Sequence, residues 1–275
     1  MPSSGDPSAG GEVVRPETLL LTLFGDQVLD RGTAVSTGGV LAVLGRLGVG
    51  EPAARATLAR MSRRGLLRTV RRGRQAFLTL TEHGTSVLRD GQRRLNGDVV
   101  ERHWDGRWTL LTFSVPETRR ADRHALRTRL AWFGFGLLRS GLWVSTSATD
   151  VSPALAELDL LEHAEVFRAE AIMWTDPARI AREAWGLPEI ATGYDRFLRR
   201  WNNTARDDLD ELSRRVRLGA EWLLLIRHDP VLPVALLPGD WPGVRAAALF
   251  RTLRHQWAGG ADKLAEELFE SIMDE

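Results

Sequence analysis

The chain has 275 residues, 43% apolar and 27% charged, with a net charge of +1. That is the composition of a globular protein able to bury two or three modest cores. It has no cysteine, which excludes disulfides and thiolate metal sites, and the apolar run from Leu19 to Phe24 is far too short to span a bilayer; a soluble, cytoplasmic protein is expected.

Residues 1–14, rich in Ser, Gly and Pro, read as a disordered tail. From Pro16 to Leu29 the spacing of Leu19, Leu20, Leu23 and Val28 predicts a helix. Val40, Leu41, Leu44 and Leu47 predict a second, stopped by Gly48-Val49-Gly50, and Pro52 opens a third with Ala54, Leu58 and Met61 on one face. Gly65 ends it. Leu66 to Val70 and Gln75 to Leu80 flank the turn Arg71-Arg72-Gly73-Arg74 as a hairpin, and Thr81 to about Leu95 is helical again. Two helices about a short glycine-bearing turn, followed by a hairpin, form a winged helix–turn–helix over residues 15–97.

A second domain is expected over 104–174. Thr109, Leu111, Phe113 and Val115 alternate with Trp108, Leu110, Thr112 and Ser114, as in a half-buried strand. Helical spacing covers 118–133. Phe135 to Arg139 and Leu142 to Ser145 make a hairpin about Ser140-Gly141, Ser152-Pro153 opens a helix, and Val166 to Ile172 supplies a last strand. This β-α-β-β-α-β order is the ferredoxin-like arrangement, giving an α+β protein. The remainder, 175–275, reads as a helical domain. Asp176-Pro177 caps one helix and Tyr194, Phe197, Leu198 and Trp201 mark another. Further helices are expected over Asp207 to Arg227, Pro242 to Trp257 and Asp262 to Met273.

The charge is unevenly spread. Residues 46–94 hold twelve arginines and three acids, a surplus of nine that leaves the rest of the chain acidic by eight. Cations concentrated on a protruding helix and hairpin suit the phosphates of duplex DNA. With Ala54, Leu58 and Met61 inward, the third helix turns Pro52, Arg55, Ala56, Ala59, Arg60 and Arg63 outward. Arg55 and Ala56, near its start, are placed for base edges. Arg60, Arg63 and Arg64 suit phosphates, and Arg71, Arg72 and Arg74 suit the backbone or an adjacent minor groove. Any exposed helix can carry solvated arginines; the surplus together with the motif favours DNA.

Other chemistry finds less support. Gly45 to Gly50 resembles a phosphate loop, but Glu51-Pro52 follows where such a loop needs Lys and Ser or Thr. The six histidines are scattered, so no metal site is expected, and without G-x-S-x-G a hydrolase triad has no anchor. The acidic run Asp207-Asp208-x-Asp210-Glu211 is expected to decorate the start of a helix. Of ten tryptophans, Trp132, Trp201 and Trp222 sit at core-like helical positions.

Four segments in series, Thr22-Leu23-Phe24-Gly25-Asp26, Arg55-x-x-Leu58-x-Arg60-Met61, Gly65-Leu66-Leu67 and Trp104-Asp105-Gly106-Arg107-Trp108, resemble the PaaX family, the repressors of phenylacetate catabolism and their relatives. The resemblance runs from about Leu19 to Ile272. It implies a winged helix, a central domain similar to the small CRISPR-associated endonuclease subunits, and a helical C-terminal domain. It also implies a homodimeric repressor of a near-palindromic operator, released by an aromatic acyl-CoA such as phenylacetyl-CoA. Residues placed to line such an effector pocket are Arg199, Arg200 and Trp201, or Arg214, Arg215 and Trp222, with guanidiniums on the CoA phosphates. Two alternatives stay open: a constitutive DNA-binding protein without effector, and a metal-dependent nuclease. The latter lacks a carboxylate at the end of the first central strand, where Thr112-Phe113-Ser114-Val115 has no acid before Glu117. No catalytic residue is expected, and no cofactor beyond the effector.

Overall fold

The computed structural model describes residues 14–203, 208–227 and 229–274. The expected tail through residue 13 and the first residue of the acidic run, Asp207, lie outside them. In chain order the elements are α1 (Pro16–Gln27), β1 (Thr33–Ser36), α2 (Thr37–Arg46), α3 (Glu51–Arg63), β2 (Leu67–Arg72), β3 (Gln75–Leu80), α4 (Glu82–Asn96) and β4 (Arg107–Phe113). Next come α5 (Arg120–Trp132), β5 (Gly136–Arg139), β6 (Leu142–Ser145), α6 (Ser152–Glu157), β7 (Ala164–Glu170), α7 (Pro177–Trp185) and α8 (Leu187–Trp201). The chain closes with α9 (Glu211–Ile226), α10 (Gly243–Gln256), α11 (Ala258–Leu268) and β8 (Ser271–Met273). The fold is mixed α and β with two four-stranded antiparallel sheets, ordered β2-β3-β1-β8 and β5-β6-β4-β7.

The described residues divide into two compact units, 14–96 with 208–223 and 250–274, and 97–203 with 224–227 and 229–249. The helical stretch expected as a third domain over 175–275 is therefore shared between them. The reason is apolar: Leu212, Val216 and Ala220 of α9 and Ala261 and Ala265 of α11, with Phe269, complete the same core as Leu20, Leu23, Phe24, Val40, Leu44 and Met61.

Within the first unit, local signals set the helix ends. Pro16 occupies the first turn of α1, and the Ser36 hydroxyl accepts from the Gly39 amide at 3.3 Å to cap α2. α3 buries Ala54, Thr57, Leu58 and Met61 and gives way to the hairpin at Gly65. The β2–β3 pairing runs from Leu67↔Leu80 to Arg72↔Gln75. That leaves a two-residue turn in which Gly73 takes φ +61°, a conformation glycine adopts without steric cost. The helix expected through Met273 instead stops at Leu268. Phe269 enters the core, and Ser271–Met273 pair with β1 through Thr33↔Met273, Ala34↔Ile272 and Val35↔Ser271.

In the second unit, β4 lies inside its sheet, bonded to β6 and β7. The expectation of a half-buried strand is corrected: both faces are covered. Leu111 joins Leu126, Leu130, Phe135 and Leu155 on one side, while Trp108 joins Val144, Ala181, Leu187 and Leu232 on the other. The Asp176 carboxylate caps α7, accepting from the Ala178 amide at 2.9 Å. Trp132, expected inside, is 55% exposed. The core row of α5 is Leu126 and Leu130, and Trp132 falls on the opposite side of the helix.

Candidate nucleic-acid interface

Burial of Ala54, Thr57, Leu58 and Met61 leaves Arg55, Ala56, Arg60 and Arg63 on the solvent face of α3, as the periodicity requires. Arg64 caps the helix and pairs with Glu17 of α1. Arg71, Arg72 and Arg74 are exposed at the hairpin tip, Arg71 and Arg72 on opposite faces of β2. The two groups belong to one unit, and Gly65 connects them.

Not all of the arginine surplus is available. Arg46 pairs with Asp210, Arg64 with Glu17, Arg68 with Asp274 and Arg89 with Asp30. All four of these acids come from outside residues 46–94, so the local charge excess overstated the free charge. Arg55 pairs with Glu51 at 2.7 Å and Arg93 with Asp90, both within their own helices. Among the described residues, Arg60, Arg63, Arg71, Arg72 and Arg74 form no ion pair; Arg60 donates only to the Thr57 hydroxyl, at 2.8 Å. These five are the cations ready for phosphate. Exposed pairs such as Arg55–Glu51 hold by only about 0.3–0.5 kcal/mol, so Arg55 can exchange Glu51 for a base edge at small cost.

The two alternative sets of expected effector residues fall in different units: Arg199, Arg200 and Trp201 in the second, Arg214, Arg215 and Trp222 in the first. Trp201 is buried, with Arg200 over its ring at 5.6 Å. Trp222 is buried and stacked on Phe250 at 4.7 Å. Arg215 is held by a residue that sequence reasoning missed as a charge centre, Asp26. Its carboxylate is 1% exposed, with the Arg215 Nε and an Arg254 Nη each at 3.3 Å and the Gln92 amide at 3.5 Å. The Arg254 guanidinium makes a second, shorter bond to the other carboxylate oxygen.

Three family models match in series: a PaaX-like protein over residues 15–84, the PaaX central Cas2-like domain over 101–181, and the PaaX-like C-terminal domain over 185–267. The chain belongs to the PaaX-like family. A curated relative, the transcriptional repressor PaaX of Escherichia coli (strain K12), is 28% identical over 94% of this chain and 85% of its own. A solved structure of an uncharacterized protein from Mycobacterium tuberculosis shares the fold, with a TM-score of 0.64 at 23% identity. That match covers 93% of this chain and 98% of the other.

In this PaaX-like chain the Cas2-like segment ends its central strand at Phe113, and the next acid, Glu117, pairs with Arg123 at 3.1 Å. Among the described residues no three His, Cys, Asp or Glu side chains gather to hold a metal ion, and no helix is long and apolar enough to cross a membrane.

Proposed function

We propose that this protein is a transcriptional repressor, a regulator rather than an enzyme. In this reading the N-terminal elements act as a winged helix–turn–helix, with α2 and α3 as the helical pair and β2–β3 as the wing. The observation that carries it is the set of five arginines, without acid partners among the described residues, gathered on the outer face of α3 and at the hairpin tip of the same unit. Arg55 and Ala56 then meet base edges in the major groove. Arg60, Arg63 and Arg64 meet phosphates, and Arg71, Arg72 and Arg74 grip the backbone or the neighbouring minor groove.

The second unit serves as a ferredoxin-like scaffold, a reading supported by its strand order β5-β6-β4-β7, with α5 and α6 contributing to the core on one face of that sheet. Its use is dimerisation, so that two heads read the halves of a near-palindrome. The curated relative is named as a repressor, and the effector proposed here is an aromatic acyl-CoA such as phenylacetyl-CoA, whose binding shifts the population away from the operator-competent state. The test is titration of phenylacetyl-CoA into a complex with duplex from the protein's own promoter, with sedimentation run in parallel. A fall in operator affinity and a dimeric mass are expected. Unchanged affinity removes the effector, and a monomeric mass removes the symmetric reading.

A further inference from the structure

The buried Asp26 forms the floor of a solvent-open cleft of about 630 Å³ in the first unit, a volume in the range of small-molecule sites. α1 supplies Asp26, α4 supplies Arg89, Gln92 and Arg93, α9 supplies Arg215 and α10 supplies Arg254. With Asp30 at the rim, four guanidiniums face two carboxylates, so the lining carries two surplus positive charges. One of these is at the rim, where Arg93 also pairs with Asp90 outside the lining, and the other is at the base. There a single carboxylate holds two guanidiniums whose side chains are only 14% and 15% exposed. Arg215 is also under-satisfied: its buried Nε and Nη1 make no aligned hydrogen bond, although Nε lies 3.3 Å from the Asp26 carboxylate. A buried guanidinium with idle donors costs free energy until an acceptor arrives. Arginine's planar fork is matched to the paired oxygens of a phosphate, and the Gln92 and Asn96 amides add donors at the wall. Leu29 is the sole large aliphatic side chain among the lining residues, which disfavours an aryl group inside.

We infer that this cleft binds the phosphate portion of a small phosphorylated molecule, with Arg215 and Arg254 as its inner ligands and Arg89 and Arg93 as its rim. The site has a regulatory meaning only through the effector reading above, on which that part rests. α1 packs against both α3 and α4, so an anion that draws Arg215 and Arg254 off Asp26 alters the support of the helix proposed to read DNA.

Isothermal titration with inorganic pyrophosphate, at fixed ionic strength and without DNA, tests the site separately from the repressor reading. Saturable binding is expected. Arg93→Gln and Arg89→Gln, both on exposed side chains, should each weaken it at least threefold. A triple variant of the hairpin, Arg71→Gln with Arg72→Gln and Arg74→Gln, should leave it within twofold. The inference is overturned if pyrophosphate gives no saturable heat, if the rim variants bind as the parent does, or if the hairpin variant alone abolishes binding. The last result would place the anion on the DNA-facing surface.

Discussion

Asp26 sits in a segment singled out in the sequence only as one of several resemblance motifs, and nothing local marks it as the centre of a buried charge cluster. Its partner Arg254 lies 228 residues further on, and no periodicity links the two. Removing the carboxylate leaves two mostly buried guanidiniums facing each other, so Asp26→Ala should cost about 3–5 kcal/mol, read by denaturant unfolding. A loss no larger than that of an exposed pair would mean the arginines find water instead. The arginines of α3 and the hairpin are a different case, because helical spacing and turn chemistry placed them correctly on exposed faces from sequence alone. What sequence could not show was which of them acids from elsewhere neutralise. Arg72, unpaired at the tip, should on replacement by Ala weaken duplex binding evenly across sequences and flatten the salt dependence by about one unit. Arg55→Ala should instead cost about 1–3 kcal/mol on the preferred site and relax the preference at one base position. Gel-shift titrations on specific and scrambled duplexes at two salt concentrations separate the two effects.

At the level of elements, the helices and hairpins whose partners are close in sequence were legible, because capping residues, glycine stops and apolar rows all act within a few residues. β1 and β8 were not. Each is three or four residues long with no room for alternation; β8 exists because β1 lies beside it, and β1 because β3 and β8 flank it. The last helix was read too long for the same reason, since Phe269 turns inward toward a core that sequence cannot locate. One close approach carries a prediction. Gly84, in the first turn of α4, donates its amide to the Thr81 hydroxyl, and a Cβ there would stand 2.0 Å from the Leu66 carbonyl oxygen. α4 thus presses on the residue just before the hairpin, and only hydrogen fits between. Gly84→Ala should destabilise the first unit by about 1–3 kcal/mol and displace the hairpin, lowering DNA affinity along with the unfolding midpoint. A midpoint equal to the parent's would show that the helix relaxes away without loss.

For the whole molecule, ion pairing redistributes the charge of residues 46–94: acids from elsewhere in the chain neutralise Arg46, Arg64, Arg68 and Arg89, while among the described residues five arginines on the outer face of α3 and the hairpin tip form no ion pair. The C-terminal residues contribute to that same unit through α11, Phe269 and β8, so the head proposed to hold DNA is built from both ends of the described chain. The sharing of the C-terminal helices between two units was not legible in the sequence, because it depends on non-local packing. The central claim is that this residual cationic surface holds duplex DNA. The direct test is the affinity for promoter duplex, by fluorescence anisotropy, across a series of salt concentrations. Five unpaired arginines per chain predict a linear log–log plot with a slope of about −4 or steeper per bound chain; a flat plot, or no binding to any duplex at low salt, would contradict the account.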